Sequence, residues 1–219
     1  MLIFGSSSVN GSFGRLMADE LSGLGYQVQR HGHSAAGLAR PDFRDMRQLL
    51  DQLPVGRNTV SVLLYVGGND AQAIWLRPQE RPKNGSGSPW VWWKDERWPG
   101  LYETRAVAAI ESLCARGVRH VIVLAPADVV SERLQSRLER VRNLLQRATQ
   151  STSCGHFVAT GGDVSALNQS PSALRTPDGT HMNSAGALRV WSRVRDKVLS
   201  IVRNSPEREA LLVRRTQRR

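Results

Sequence analysis

The 219-residue sequence predicts a single domain of the α/β class built on a doubly wound parallel sheet. Three observations carry this. The chain opens on the apolar triplet Leu2-Ile3-Phe4, which passes through Gly5-Ser6-Ser7-Ser8 into a helix-periodic run of Phe13, Leu16, Met17 and Leu21. The segment Thr59 to Val66 is rich in Val and Leu, the composition of a strand buried on both faces. Strand-like and helix-like segments then alternate, which implies right-handed crossovers onto a parallel sheet.

In chain order, residues 14 to 24 read as a helix stopped at Gly23 or Gly25. Tyr26, Val28 and Arg30 alternate as a short second strand, and Pro41 opens a helix carrying Phe43, Met46, Leu49, Leu50 and Leu53 before Pro54. The third strand is the Val/Leu run. Leu101 to Arg116 is helical up to Gly117, and Val118 to Ala125 is the fourth strand. Ser131 caps a long basic helix to about Gln150. Gly155 to Ala159 gives a fifth strand, and Gly161 to Pro177 reads as loop with one short turn at most. Asn183 caps the last helix, whose apolar face is Ala187, Val190, Trp191, Val194, Val198 and Ile201. The core pattern ends near residue 203, leaving a basic tail over 204–219.

Composition narrows the function classes. Apolar residues make up 40% of the chain, enough for a core, and no apolar run reaches the ~18 residues of a membrane span. No signal peptide is visible, so the expected location is the cytoplasm or a delivered assembly. Cys114 and Cys154 have neither metal-ligand nor disulfide-framework spacing, and are expected to be reduced, partly buried thiols; no metal or cofactor is expected. The net charge of +11 fits either a solvated arginine-rich surface or an anionic polymer or protein partner held by the basic helices and tail. No zinc finger, Walker loop or aromatic-basic RNA motif is present.

Four short blocks carry the chemistry. The serine-rich turn after Phe4 lifts a hydroxyl out at the carboxyl end of a sheet, beside a helix start. Ser34-Ala35-Ala36-Gly37 follows the second strand, and Gly67-Gly68-Asn69-Asp70 follows the third. Asp178-Gly179-Thr180-His181 precedes the last helix. In this order, Ser, Gly, Asn and Asp-x-x-His, the chain up to about residue 200 resembles the SGNH (GDSL-type) hydrolase superfamily. The resemblance implies a three-layer, flavodoxin-like α/β/α fold with a sheet of about five strands. It also implies serine ester hydrolysis.

By that resemblance Ser7 is the nucleophile, since the serine is third in the pattern Gly-Asp-Ser-Leu and Gly5-Ser6-Ser7-Ser8 stands here. Among five histidines His181 is singled out, because Asp178 three residues before it can orient the ring and stabilise its charged form. The oxyanion donors are the Ser7 and Gly37 backbone N–H groups and the Asn69 amide, each worth about 3 kcal/mol of barrier. The chain departs from the pattern at Ser6, where the superfamily has an Asp that supports the turn; this puts full activity in question.

Residues 75–100 interrupt the α/β alternation as a Trp- and Pro-rich insertion holding Trp75, Trp90, Trp92, Trp93 and Trp98, five of the six tryptophans. It reads either as a binding rim, with Trp75, Trp90, Trp92 and Trp93 against substrate, or as a loop packed on its own aromatics. The sequence-level expectation is therefore a carbohydrate O-acetylesterase or related acylhydrolase, with an acylated glycan or small ester as substrate. The competing expectation is a weakly active or inactive binding or structural module of a bacterial or viral assembly.

Overall fold

The apolar runs form strands at the expected places, and the turns after them gather on one edge of the molecule. The computed structural model describes residues 1–82 and 87–203. Its strands are β1 (Leu2–Gly5), β2 (Gln29–Gly32), β3 (Ser61–Tyr65), β4 (Ile74–Trp75), β5 (Trp90–Val91), β6 (His120–Leu124) and β7 (Gly155–Val158). Five of them build one parallel sheet in the order β2-β1-β3-β6-β7, while β4 and β5 pair antiparallel on their own. Register runs straight across the sheet, with Phe4 opposite His31 and Leu64, Leu64 opposite Val123, and Val123 opposite Phe157. The strand order reverses between the parallel neighbours β1 and β3, and an open sheet binds ligands at such a switch point, beyond the carboxyl ends of its strands.

The helices are α1 (Ser7–Asn10), α2 (Ser12–Gly23), α3 (Pro41–Arg44), α4 (Met46–Asp51), α5 (Arg97–Cys114), α6 (Glu132–Gln150), α7 (Val164–Gln169), α8 (Pro171–Leu174) and α9 (Ser184–Arg203). Period-two alternation in the strands splits the core into two layers. Phe4, Val62, Leu64, Val121 and Val123 face α4, α5 and α6. Ile3, Leu63, Tyr65, Ile122 and Leu124 face α2 and α9. Each such buried aliphatic or aromatic side chain stabilises the fold by about 1.5–3 kcal/mol. Among the described residues no helix is long and apolar enough to cross a membrane.

Several expectations need correction. The helix over 41–53 is two pieces, because Asp45 takes an extended conformation and its carboxylate caps α4 through Arg47 N at 2.9 Å. The helix read from Leu101 begins at Arg97, with Pro99 tolerated in its first turn. The loop over 161–177 contains α7 and α8. The second strand pairs over Gln29–Gly32, while Tyr26 and Val28 pack partly buried on the core before it. Cys114 and Cys154 are not free thiols: they form a disulfide that ties the end of α5 to the residue before β7. The tail over 204–219 lies outside the described residues.

Candidate active site

The candidate site combines the segments after β1, β2 and β3 with the turn between α8 and α9. Strand β1 ends at Gly5, and α1 starts at Ser7, so the Ser7 hydroxyl stands at the mouth of the turn. The buried Ser6 gives α1 no side-chain cap, and its carbonyl accepts from Val9 N at 3.0 Å. Arg30, reaching over from β2, donates to the carbonyls of Val9 and Asn10 at 2.7 and 3.1 Å. The end of α1 is thus tied down by a guanidinium, in a turn that lacks the pattern's Asp.

His181 ends the turn Thr176–His181, which leads into α9, and α9 packs in the same core layer as Val9 and α2. Ser7 Oγ and His181 Nε2 are 2.7 Å apart, and His181 Nδ1 lies 2.6 Å from Asp178 Oδ2. The carboxylate can only accept, so the ring's proton belongs on Nδ1 and the Nε2 lone pair faces the serine hydroxyl. The other oxygen of Asp178 accepts from Thr180 N at 2.8 Å, His181 N at 3.0 Å and Thr176 Oγ1 at 2.9 Å. The His181 side chain, then the backbone donors of His181 and Thr180, hold the Asp178 carboxyl well below the usual carboxylate range. Gly179 turns the chain in the left-handed region (φ 68°), which a glycine adopts without strain, and its carbonyl accepts from Val130 N at 3.0 Å.

Two candidate oxyanion donors, Gly37 and Asn69, lie in the segments that follow β2 and β3. Asn69 Nδ2 donates to Ala36 O at 2.9 Å, which locks the turn after β3 to the turn after β2. An amide carries two N–H bonds, so one remains to point elsewhere. Gly37 sits against the same turn, where a Cβ would collide with the Asp70 carboxylate. Asp70 is fully buried; it accepts from Ala39 N at 2.9 Å and Tyr102 Oη at 3.0 Å, and burial pushes its carboxyl pKa up. The Asp70 side chain therefore shapes the Gly37 turn from beneath. The side chains of His181 and Asp178 are 43% and 50% exposed, so the relay opens onto a shallow surface.

The tryptophans divide into two groups. Trp98 is buried, donates to Gln72 O at 2.7 Å and stacks on Tyr102 with centroids 5.1 Å apart. Trp93 lies 4.3 Å from Trp98, with the guanidinium groups of Arg137 and Arg140 over its ring at 5.2 and 5.1 Å. Trp75, Trp90 and Trp92 form an outer ladder with centroid spacings of 4.8 and 6.0 Å, and Trp92 is 65% exposed. Arg40 lies over Trp90 at 4.7 Å, in the segment that follows Gly37. The packed reading holds for Trp98 and corrects the rim expectation for Trp93, which packs against the core, while Trp75 and Trp90 are half-buried and Trp92 is exposed.

Sequence reasoning missed the support beneath the histidine turn. Arg175 is buried, and its guanidinium donates to the Asp128 and Leu174 carbonyls. The buried Asp128 carboxylate accepts from Gln135 and from the N–H groups of Gly162 and Asp163. Asp163 in turn binds Arg189 and Arg193 on α9. Only the spacing of Arg189 and Arg193, four apart on a helix, hints at this in the sequence. Among the described residues no group of three or more His, Cys, Asp or Glu side chains is placed to hold a metal ion.

A family model described as "Protein of unknown function (DUF459)" matches residues 1–197. No curated protein matches the chain. Among solved structures, a catalytic mutant of an acetylxylan esterase from Geobacillus stearothermophilus is similar at 17% identity and TM-score 0.63, covering 92% of each chain. An alpha/beta hydrolase from the metagenome of Lake Arreo is similar at 17% identity and TM-score 0.62, covering 92% of this chain and 93% of its own. A lipolytic G-D-S-L family member from Veillonella parvula is similar at 15% identity and TM-score 0.60, covering 89% and 95%. The fold is that of the GDSL-type hydrolases.

Proposed function

Because the chain belongs to the family described as "Protein of unknown function (DUF459)" and has the fold of GDSL-type hydrolases, we propose that it is a serine esterase that removes a short acyl group from a glycan. The hydrogen-bonded series Ser7–His181–Asp178 carries this reading. Ser7 Oγ attacks the acyl carbon while its proton passes to His181 Nε2, and Asp178 stabilises the imidazolium. The negative charge on the former carbonyl oxygen is met by the Ser7 and Gly37 N–H groups and the Asn69 amide. The bond to the sugar oxygen then breaks, and His181 returns the proton to that oxygen. A water molecule, deprotonated by His181, attacks the acyl-enzyme; the bond to Ser7 Oγ breaks, His181 returns the proton to Ser7 Oγ, and the carboxylic acid leaves.

Two features favour a small acyl group on a large carrier. The relay is open rather than set in a deep channel, and small residues stand beside Ser7 and beside Gly37 in sequence, Ser8 and the exposed Ala35, while Ala36 is buried in the core. The Trp75, Trp90 and Trp92 ladder supplies aromatic faces of the kind that stack on sugar rings. The acetylxylan esterase among the similar structures agrees with this choice. The intact relay favours catalysis over a binding-only module. The test is hydrolysis of p-nitrophenyl acetate by the parent and by Ser7→Ala. The variant is expected to retain the parent's Tm and lose activity by at least about 10³-fold. Equal turnover by the two proteins contradicts the reading.

A further inference from the structure

We propose that the cavity beyond the tryptophan ladder is a distal subsite for a neutral sugar unit, so that the protein acts on an extended glycan rather than a single sugar. The inference rests on the esterase reading above and extends it along the surface. The cavity has a volume of about 420 Å³ and lies where α3 and α4 meet the 3₁₀ turn Pro78–Glu80. Its walls combine the apolar surfaces of Trp75, Pro41 and Pro78 with the exposed polar groups of Asp42, Gln48 and Gln79. An aromatic wall with a few convergent hydrogen-bonding groups is the chemistry that recognises a pyranose ring: C–H bonds on one face, hydroxyls around the edge.

Its charge selects a neutral ligand. The chain carries +11 overall, but the cavity's two arginines are offset by its two aspartates. Arg77 donates to both oxygens of Asp45, at 3.1 and 2.9 Å, and Arg47 pairs with Asp51 at 3.1 Å. Asp42 is held by Arg40 at 2.8 Å. Arg81 lies over the Trp75 ring at 5.4 Å, beside this wall, while within the lining the arginines and aspartates are each paired, and sugar hydroxyls meet amides and carboxylate lone pairs.

The cavity is also tied to the catalytic turn. Trp75 N donates to Ala39 O at 2.9 Å, and Ala39 is two residues from Gly37, a separation of at most about 7 Å. Gln72, which donates to Asn69 O, lies 3.5 Å from Arg40, and Arg40 covers Trp90. From the oxyanion side of the site, the path over Trp90 and Trp75 therefore leads into the cavity. A glycan with its acyl group at Ser7 can lay further rings along this path.

The experiment uses O-acetylated xylo-oligosaccharides of two to six sugar units, with deacetylated xylohexaose as a binding probe. The parent is expected to show a hexamer-to-dimer ratio of kcat/KM of about tenfold or more, and the double variant Gln48→Ala/Gln79→Ala is expected to bring that ratio near one. In ¹⁵N-labelled parent, xylohexaose is expected to shift the Trp75 indole and the Gln48 and Gln79 side-chain amide resonances. An unchanged ratio in the double variant, or a parent indifferent to length, overturns the subsite. So does a shift of these resonances by a sulfated oligosaccharide but not by xylohexaose. A parent inactive on every ester, including p-nitrophenyl acetate, overturns the esterase reading, while the xylohexaose titration still decides the subsite on its own.

Discussion

Arg175 and Asp128 meet at a single backbone carbonyl: Nε and Nη2 of the buried guanidinium both donate to Asp128 O, at 2.9 and 2.5 Å. Arg175 immediately precedes the turn that carries Asp178 and His181, and Thr176 N donates back to His181 O at 2.8 Å. A charged strut therefore fixes the height of the histidine turn above the sheet. Replacing Arg175 by Met leaves the Asp128 carbonyl without these donors, at a cost of about 1.5–3 kcal/mol. The expected result on p-nitrophenyl acetate is a drop in kcat with little change in KM, partly restored in Arg175→Lys. A variant with lowered Tm but the parent's kcat would show that the strut serves stability only.

Asp178 supports the relay through its charge. Replacement by Asn presents an amide to His181 Nδ1 and favours the wrong tautomer, so kcat is expected to fall by about 10³–10⁴-fold with KM nearly constant. The Asp178 carboxyl sits below its ordinary range, so its contribution to folding is present above about pH 4, where the unfolded group ionises, and is lost at lower pH. Asp178→Asn should accordingly lose Tm relative to the parent at neutral pH and approach it toward pH 2. An Asn variant with unimpaired kcat would remove Asp178 from the mechanism.

At the opposite end of the sheet, His120 Nδ1 and His156 Nε2 are 3.1 Å apart. Burial lowers both pKa values, and the mutual charge and Arg119 lower that of His120 further. The unfolded chain then binds protons more readily than the folded one below about pH 6.5. The contribution of this pair is full above that pH and declines as pH falls through it. The Tm of the parent is expected to fall between pH 7 and 5, and that of His156→Gln to fall less. Parallel pH profiles for the two proteins would contradict this.

The Cys114–Cys154 disulfide closes a span of 40 residues that includes β6 and α6. A crosslink of this kind stabilises by about 2–4 kcal/mol and persists in oxidising compartments. Without reductant the purified protein should resist alkylation by iodoacetamide after denaturation, and reduction should lower its Tm. Two alkylated cysteines in the unreduced protein would show that the bond does not form.

The parallel sheet was legible because β1, β3 and β6 are apolar runs too short for helices and bounded by turn residues. The candidate residues Ser7, Gly37 and Asn69 were legible as blocks following strands, and Asp178 and His181 as a block before the last helix. What escaped depends on pairings distant in sequence. Cys114 and Cys154 become partners only when α5 and β7 are placed side by side. Arg175 reads as one more surface arginine until Asp128 is folded over it. Asp45 breaks a helix that apolar periodicity alone would continue, because its carboxylate finds Arg47 N and Arg77. The tryptophans could not be sorted by position, since Trp98 and Trp92 are six residues apart yet one is core and the other rim.

A serine activated by His181 reacts with a fluorophosphonate probe, and peptide mass spectrometry locates the adduct. Phosphonylation is expected at Ser7 alone in the parent, and is expected to vanish in Ser7→Ala and fall sharply in His181→Ala. Labelling at Ser6 or Ser8, or a parent that takes up no probe while fully folded, would contradict the account.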